Sequence, residues 1–390
     1  MVRETQDSKV VGLDVHPYMF SASALAGADA REAREEWVVD RIPLDRLEEI
    51  IKKRTTSRDI LVMEASGNSF AVAERLFRCQ RKVIVLESQS VGKVGKAYCS
   101  TDRTDAMKIA RVYLSGLAHI VWIPDSKSFE RRDLFFAHRN AVKDSIRARN
   151  RIWAFFNGRS VKKPRDFRLT AGNALCKLKA LHKWSDVEAV ILTELYNTFI
   201  EAENRRCKFA SIIAEQVATN PDILKLIRLF GIRDKVAFAV VAFIGDINRF
   251  ANPRKLVSYF GLNPSVNRSG NSGGNGGLSG YGRKDVRSLL IQAANSALRY
   301  GTGQTHQWAL ALKMRKGKNI SVAGLARKMV VSIWYLLKGM FTPLIELTNT
   351  IIVKIHKIAS EIGKTKIMAM GFKSVTDFER IIHEKLLQTA

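Results

Sequence analysis

The stretch Arg58–Gly67 reads RDILVMEASG, and the fold turns on it. Four apolar residues, Ile60 to Met63, run without a break and stop at a carboxylate, Glu64. A short continuous apolar run bounded by turn signals reads as a strand buried on both faces. KVVGLDVH (Lys9–His16) has the same form and stops at Asp14. MFSASALAG (Met19–Gly27) and EEWVVDRIP (Glu35–Pro43) read as antiparallel strands after it, and KVIVLES (Lys82–Ser88) as a further strand. Helical spacing appears in LDRLEEIIKKR (Leu44–Arg54), with Leu44, Leu47, Ile50 and Ile51 on one face. It recurs in SFAVAERLFRC (Ser69–Cys79) and RTDAMKIARVYLSG (Arg103–Gly116). Three strands, then helix, strand, helix, strand, helix predict an α/β domain with a mixed sheet covered by helices.

In that arrangement Asp14 and Glu64 stand near the C-terminal ends of central strands, where α/β sheets place their sites. A buried carboxylate there is costly unless it is paired or bound to metal. Asp102 and Asp105 are three residues apart at the start of a helix, which puts them on one face. Four converging acids repel one another, and hard divalent cations relieve that repulsion with carboxylate oxygens and substrate phosphate as ligands. Two such ions about 4 Å apart activate a nucleophile and stabilise a leaving oxygen. Each acid alone also reads as a helix cap or a strand-end turn residue. His16 reads as a turn residue and not as a ligand.

The chain has 390 residues and a net charge of +27, with a pI near 10.1. Such an excess points to a polyanionic partner. The charge is uneven: residues 1–125 are nearly neutral at +1, residues 126–216 carry +9, and residues 217–390 carry +17. No uninterrupted apolar run approaches the roughly 18–20 residues of a spanning helix, and the N-terminus has no apolar signal core. Cys79, Cys99, Cys176 and Cys207 are dispersed and form no CxxC pair, so no zinc site or disulfide framework is implied.

Downstream, RRDLFFAHRNAVKDSIRARNRIWAFFNG (Arg131–Gly158) mixes aromatics with six arginines and one lysine. It reads as the first arm of a helical hairpin that turns near Pro164. The second arm runs from Asp186 to Val217 with Leu192, Leu195, Phe199 and Ala202 as its apolar seam. LIRLFGIRDKVAFAVVAFIG (Leu226–Gly245) reads as helix, glycine turn, helix. It is either a phosphate-gripping hairpin, whose turn N–H groups face the backbone of nucleic acid, or a purely structural one. NRSGNSGGNGGLSGYGRK (Asn267–Lys284) holds seven glycines within Gly270–Gly282. A run this dense is neither helix nor central strand. It predicts a mobile loop lying against phosphates, with Arg268, Gly270, Arg283, Lys284 and Arg287 as nucleic-acid contacts. KDVRSLLIQAANSALRY (Lys284–Tyr300) then restarts a helix. The expected domains are 1–125, 126–218, 219–345 and a helical tail 346–390.

GLDVH, MEASG and TDRTDAMKIA resemble the DEDD-type transposases of the insertion-sequence 110/1111 group. The segment Leu226–Ala294, through the glycine run, resembles the C-terminal transposase domain of the same group. The resemblance implies a RuvC-like, RNase H-type N-terminal domain, a coiled-coil hairpin and a mainly helical C-terminal domain. It implies Asp14, Glu64, Asp102 and Asp105 as catalytic ligands of Mg²⁺ (or Mn²⁺), and Ser269 as the catalytic serine. It also implies donor and target DNA, a bridging guide RNA and a homo-oligomer, a dimer or tetramer, in a nucleoid-associated, prokaryotic setting. The dispersed cysteines fit a reducing cytoplasm, and the lack of a long apolar run leaves no membrane partner expected. The glycine run departs from the family, whose members carry a more basic run after the serine; Ser265 and Ser272 lie close by.

The readings in competition are three. One is a metal-dependent recombinase using a serine. Another is a RuvC-like nuclease that hydrolyses branched DNA with the acids alone. The third is a non-catalytic nucleic-acid-binding protein.

Overall fold

The computed structural model describes residues 8–94, 102–269, 272–340 and 348–388. They form two compact units, Met1–Asp125 and Ser126–Ala390. In the first, alternation of Val10, Val11 and Leu13 with smaller residues builds β1 (Val10–Val15), a strand with neighbours on both sides. β2 (Met19–Ala26) and β3 (Arg34–Pro43) follow, then a 3₁₀ turn and α1 (Leu47–Arg54). β4 (Ile60–Glu64), α2 (Ser69–Arg78), β5 (Lys82–Leu86), α3 (Ser88–Val94), α4 (Asp102–Leu114) and β6 (Ile120–Val121) complete it. The sheet order is β3-β2-β1-β4-β5-β6. β1, β4 and β5 are parallel, and β2, β3 and β6 are antiparallel to their neighbours. This is the mixed sheet that the sequence predicts. α3 and β6 leave no pattern to read: SQSVGKV lacks an apolar period, and two residues are too few for alternation.

The period of two sorts the central strands onto two faces. Val11, Leu13, Leu61 and Met63 pack with Leu47 and Ile51 of α1 and Val72, Ala73 and Leu76 of α2. Val10, Ile60 and Val62 face the other way, onto Ile109 and Ala110 of α4. Full burial of each large apolar side chain contributes about 1.5–3 kcal/mol. On the α4 face β1 carries Gly12. A Cβ there would overlap the Ala106 carbonyl oxygen and crowd the Ala110 nitrogen. The glycine therefore lets α4 lie directly on β1.

The second unit begins with α5 (Ser126–Asn157) and α7 (Asp186–Thr219), the expected hairpin arms, with α6 (Ala174–Ala180) between them. Leu192 and Phe199 pack with Ile152 and Phe156 as one small core towards the hairpin's tip. α7 starts with a capping box, in which Ser185 Oγ accepts from the Glu188 amide and the Glu188 carboxylate accepts from the Ser185 amide. Nearer the base, Phe135, Ile213 and Val217 join a larger core built by α8 (Pro221–Leu226), α9 (Asp234–Ile244), α10 (Pro253–Tyr259), α11 (Lys284–Tyr300), α12 (Gly303–Lys316) and α13 (Lys318–Leu337). α14 (Thr348–Ile362), α15 (Lys364–Ala369) and α16 (Val375–Gln388) add Ile355, Ile358 and Phe378 to the same core. α7 ends at Thr219, next to the boundary expected at 218, and the tail shares its core with the preceding helices. Among the described residues, α13 is long and apolar enough to cross a membrane by composition, and 56% of its apolar window is buried in this unit.

Two expectations change. The turn between α8 and α9 is inside the protein: Ile227, Arg228, Leu229 and Ile232 are buried. Lys354 of the tail donates to the Ile227 and Leu229 carbonyls at 2.7 and 3.0 Å. The residues around the turn thus serve the core, as the structural reading of this hairpin expects. The glycine run is not a loop either. β7 (Pro264–Ser269) and β8 (Ser272–Leu278) form a two-stranded antiparallel sheet. Glycine weakens a central strand but is tolerated in a ladder with a single partner.

Candidate active site

Leu13 pairs with Met63 across the parallel β1–β4 ladder. Asp14 and Glu64 are therefore the next residues on adjoining strands, and the pleat points both side chains towards the α4 face. α4 starts with Asp102 and Asp105 in its first turn. Because Gly12 seats the helix against β1, that first turn reaches the strand end where Asp14 lies. Residues far apart in the chain meet for two reasons: a matched register and a missing Cβ.

One ligand atom each from Asp14, His16 and Asp102 lie within 4.8 Å of one another. His16 Nε2 is 3.4 Å from Asp14 Oδ2 and 3.7 Å from Asp102 Oδ1. Burial pushes the Asp14 carboxyl above its ordinary range, and the charges of Asp105, Asp102 and Glu64 push it the same way against His16. Glu64 and Asp105 are thus felt at Asp14, though they stand outside the close triplet. Lys108 Nζ approaches Asp105 Oδ1 at 3.8 Å. His16 does sit in a turn, its amide donating to the Met19 carbonyl at 2.9 Å, but its ring joins the acids. The signal was the D-x-H spacing in GLDVH, which places both side chains on one side of an extended strand end.

Half-buried carboxylates crowded by other carboxylates suit a hard divalent cation. The donor set fits Mg²⁺ or Mn²⁺. Asp14 and Asp102, with Glu64 and Asp105 beside them, would hold the ion, and His16 adds a nitrogen donor that Mn²⁺ accepts more readily than Mg²⁺.

Within the second unit, Ser269 is the last residue of β7 and pairs with Ser272 across the hairpin's tip. Gly270 lies outside the described residues, as do the side chains of Ser269 and Arg268. The base of the hairpin is fastened from α11: Arg287 Nη1 donates to the carbonyls of Ser279, Gly261 and Tyr281 at 2.8, 3.1 and 3.3 Å. Gly261 and Gly282 both adopt positive φ where the two chain segments cross. Arg287 therefore orders the hairpin. Arg283 lays its guanidinium over the Phe243 ring at 4.4 Å, and Lys284 is exposed.

Other cations, unremarked in the sequence, finish α9. Arg132 donates to the Ala242 and Phe243 carbonyls, and Arg249 to those of Ile244 and Phe243. Positive charge at a helix C-terminus satisfies orphan carbonyls and the macrodipole. Part of the basic excess is thus structural.

Residues 224–309 match the family model described as Transposase IS116/IS110/IS902 family. The chain is 25% identical over 350 residues to the "Transposase for insertion sequence element IS1111A" of Coxiella burnetii, covering 86% of this chain and 91% of that protein. It is 26% identical to the "Probable family 20 transposase" of Pseudomonas aeruginosa, covering 84% of this chain and 96% of that protein. A candidate transposase of Sinorhizobium fredii, y4qE, is 28% identical over 196 residues, 50% of this chain and 47% of that protein; here the chain spans about half of its relative's length. Through residues 224–309, which hold the glycine hairpin, the chain is similar to the IS116/IS110/IS902 transposase family, and along most of its length it is similar to two transposases.

Proposed function

We propose that this protein is the transposase of an insertion sequence, cutting and rejoining DNA with a RuvC-like acid site and a serine nucleophile. The observation that carries the reading is the convergence of Asp14 and Asp102, with Glu64 and Asp105 close enough to shift Asp14. The strand order, with three antiparallel strands beside two parallel ones, supports an RNase H-type sheet. A bound divalent cation supplies charge stabilisation at the phosphate oxygens. Asp14, Glu64, Asp102 and Asp105 would hold that ion.

In the proposed step the Ser269 hydroxyl attacks the scissile phosphorus. A serine–phosphorus ester forms, the bond from phosphorus to one deoxyribose oxygen breaks, and that deoxyribose leaves as a hydroxyl with the serine's proton. Attack by a deoxyribose hydroxyl of the joining strand reverses these changes and frees the serine. The phosphodiester energy is kept, which hydrolysis would lose. The basic second unit holds donor and target DNA and a guide RNA, and the protein works as a dimer or tetramer.

The test is a suicide DNA substrate with Mg²⁺. Wild type is expected to form a covalent adduct and Ser269→Ala none. An adduct with Ser269→Ala overturns the serine's role. One observation favours a second reading: the acid cluster is complete within residues 1–125. A RuvC-like nuclease that hydrolyses branched DNA would keep full cleavage in Ser269→Ala and lose it in Asp14→Asn.

A further inference from the structure

Arg41 is a non-glycine residue with φ of +50° inside a strand. The β2–β3 register explains where the irregularity falls. Phe20 pairs with Ile42 and Ala22 with Val39, so Asp40 and Arg41 both stand opposite Ser21. That is a β-bulge, which bends a strand and re-aims a side chain. It is pinned: Ser21, 1% exposed, donates its hydroxyl to Asp40 Oδ1 at 2.7 Å and accepts from the Arg41 amide at 3.1 Å. Ser21 is also the residue that pairs with Asp14 on the other side, so the bulge lies in the same cross-sheet row as the acid site.

The re-aimed side chain meets that site. Arg41 Nε donates to Asp102 Oδ2 at 3.1 Å, although 69% of the Arg41 side chain is exposed. The other Asp102 oxygen, Oδ1, is the one 3.7 Å from His16 Nε2, and Asp14, His16 and Asp102 form the close triplet. A carboxylate at the first turn of a helix otherwise has more than one rotamer open to it. A left-handed conformation in a residue with a Cβ costs on the order of 1–2 kcal/mol, so an ordinary edge strand gains nothing from arginine here that glycine would not give.

We propose that Arg41 is a positioning residue: it takes one oxygen of Asp102 so that the other is fixed towards the divalent-cation site. This rests on the four-acid reading above and adds to it a residue outside the DEDD set. Partners that orient a metal-binding carboxylate are worth about 10- to 100-fold in metal affinity.

The experiment measures Mn²⁺ affinity of the full-length protein without DNA, by electron paramagnetic resonance of free Mn²⁺ and by the Mn²⁺-induced rise in melting temperature. The variants are Arg41→Ala, Arg41→Gly and Asp14→Asn. Both Arg41 variants are expected to bind Mn²⁺ at least about 10-fold more weakly. Arg41→Gly is expected to melt above Arg41→Ala without metal, because glycine accepts the positive φ. That separates a lost positioning contact from a damaged fold. If both Arg41 variants bind within twofold of wild type while Asp14→Asn does not, Arg41 only blunts an edge strand, and the proposal is overturned with the acid site intact. If wild type binds no Mn²⁺, or Asp14→Asn binds as wild type does, the four-acid reading falls and the proposal with it.

Discussion

Asp14 and Ser269 both stand at the end of a strand, but what supports the two strands differs. β1 has a neighbour on each side, a core on each face and a helix seated on its glycine. β7 has one partner, β8, and five of the seven residues of β8 are glycine or serine. An isolated two-stranded ladder is marginal in water. The acids are therefore held by packing throughout a sheet, and the serine by a ladder fastened at its base by one arginine. The comparison suggests a division of labour. On the proposed function, the acids would be held in place before substrate arrives, and Ser269, the proposed nucleophile, would be carried on the element that opens at least cost.

The largest effects separate the two ends chemically. Asp14→Asn is expected to lower Mg²⁺-dependent strand cleavage by roughly 10²–10³-fold, the scale for removing a group that stabilises transition-state charge. Its melting temperature is expected to hold or rise, because a carboxylate crowded by others is removed. Ser269→Ala is expected to bind Mn²⁺ as wild type does and to give no covalent adduct. A Ser269→Ala protein with weakened Mn²⁺ binding would break the comparison.

The two ends should also respond differently to a single added methyl. At Gly12 the new Cβ meets backbone of α4, which moves only with the whole helix. Gly12→Ala is expected to destabilise the first unit by about 1–3 kcal/mol, the range for overpacking, and to weaken Mn²⁺ binding by displacing Asp102. At Gly276 the close contact of the new Cβ is with the Ser265 hydroxyl, with the rest of Ser265 at ordinary van der Waals distance. That hydroxyl can rotate away from its bond to the Gly277 carbonyl, so Gly276→Ala is expected to cost under about 1 kcal/mol. Urea unfolding of both variants measures the difference, and equal costs would remove the contrast.

Arg287 and Lys284 sharpen the comparison within the second unit. Arg287→Ala removes the donor shared by three carbonyls, at about 1.5 kcal/mol or more for a charged donor. Hydrogen exchange should rise along β7 and β8. Lys284→Ala is expected to leave exchange alone and to lower the salt slope of DNA binding by about 1. Exchange that is unchanged in Arg287→Ala would return that residue to the DNA-contact role read from the sequence.

The first unit was the more legible because its signals are local. Short apolar runs predict β1, β4 and β5, and the carboxylates near the ends of Val10–Val15 and Ile60–Glu64 mark the candidate site. His16 was passed over because a turn histidine and a ligand look alike until the register is known. Arg41 was invisible: nothing in EEWVVDRIP marks a bulge, which arises from the pairing of Ser21 with two residues. In the second unit the glycines misled. Their freedom to form a loop also lets them pair, and the ladder is decided by Pro264–Ser269, not by the run itself. The charge count misled in part as well. Arg132, Arg249 and Arg287 are arginines spent on carbonyls, and a sum over the sequence cannot tell a capped helix from a phosphate site.

The smallest effect concerns the far end of the α5–α7 hairpin, where one charge pair adds to the small apolar core. Arg159 Nε donates to Glu188 Oε1 at 2.6 Å, and the Ser185 amide donates to Glu188 Oε2 at 3.1 Å. The Arg159 bond first, and the Ser185 amide next, hold the Glu188 carboxyl down at about 2 from its ordinary 4.5. A depressed carboxylate contributes stability that is fully present above its unfolded value. The contribution is lost as pH falls from about 4.5 towards 2. The protection factors for hydrogen exchange in the first turns of α7, corrected for the intrinsic pH dependence of exchange, should therefore be steady down to pH 4.5 and fall below it. In Glu188→Gln, which keeps the shape of the cap without the charge, exchange should be faster at neutral pH, and the difference from wild type should close as the pH approaches 2. A gap between the two proteins that stays constant across this range would mean that Glu188 acts as a neutral cap and that the arginine is incidental.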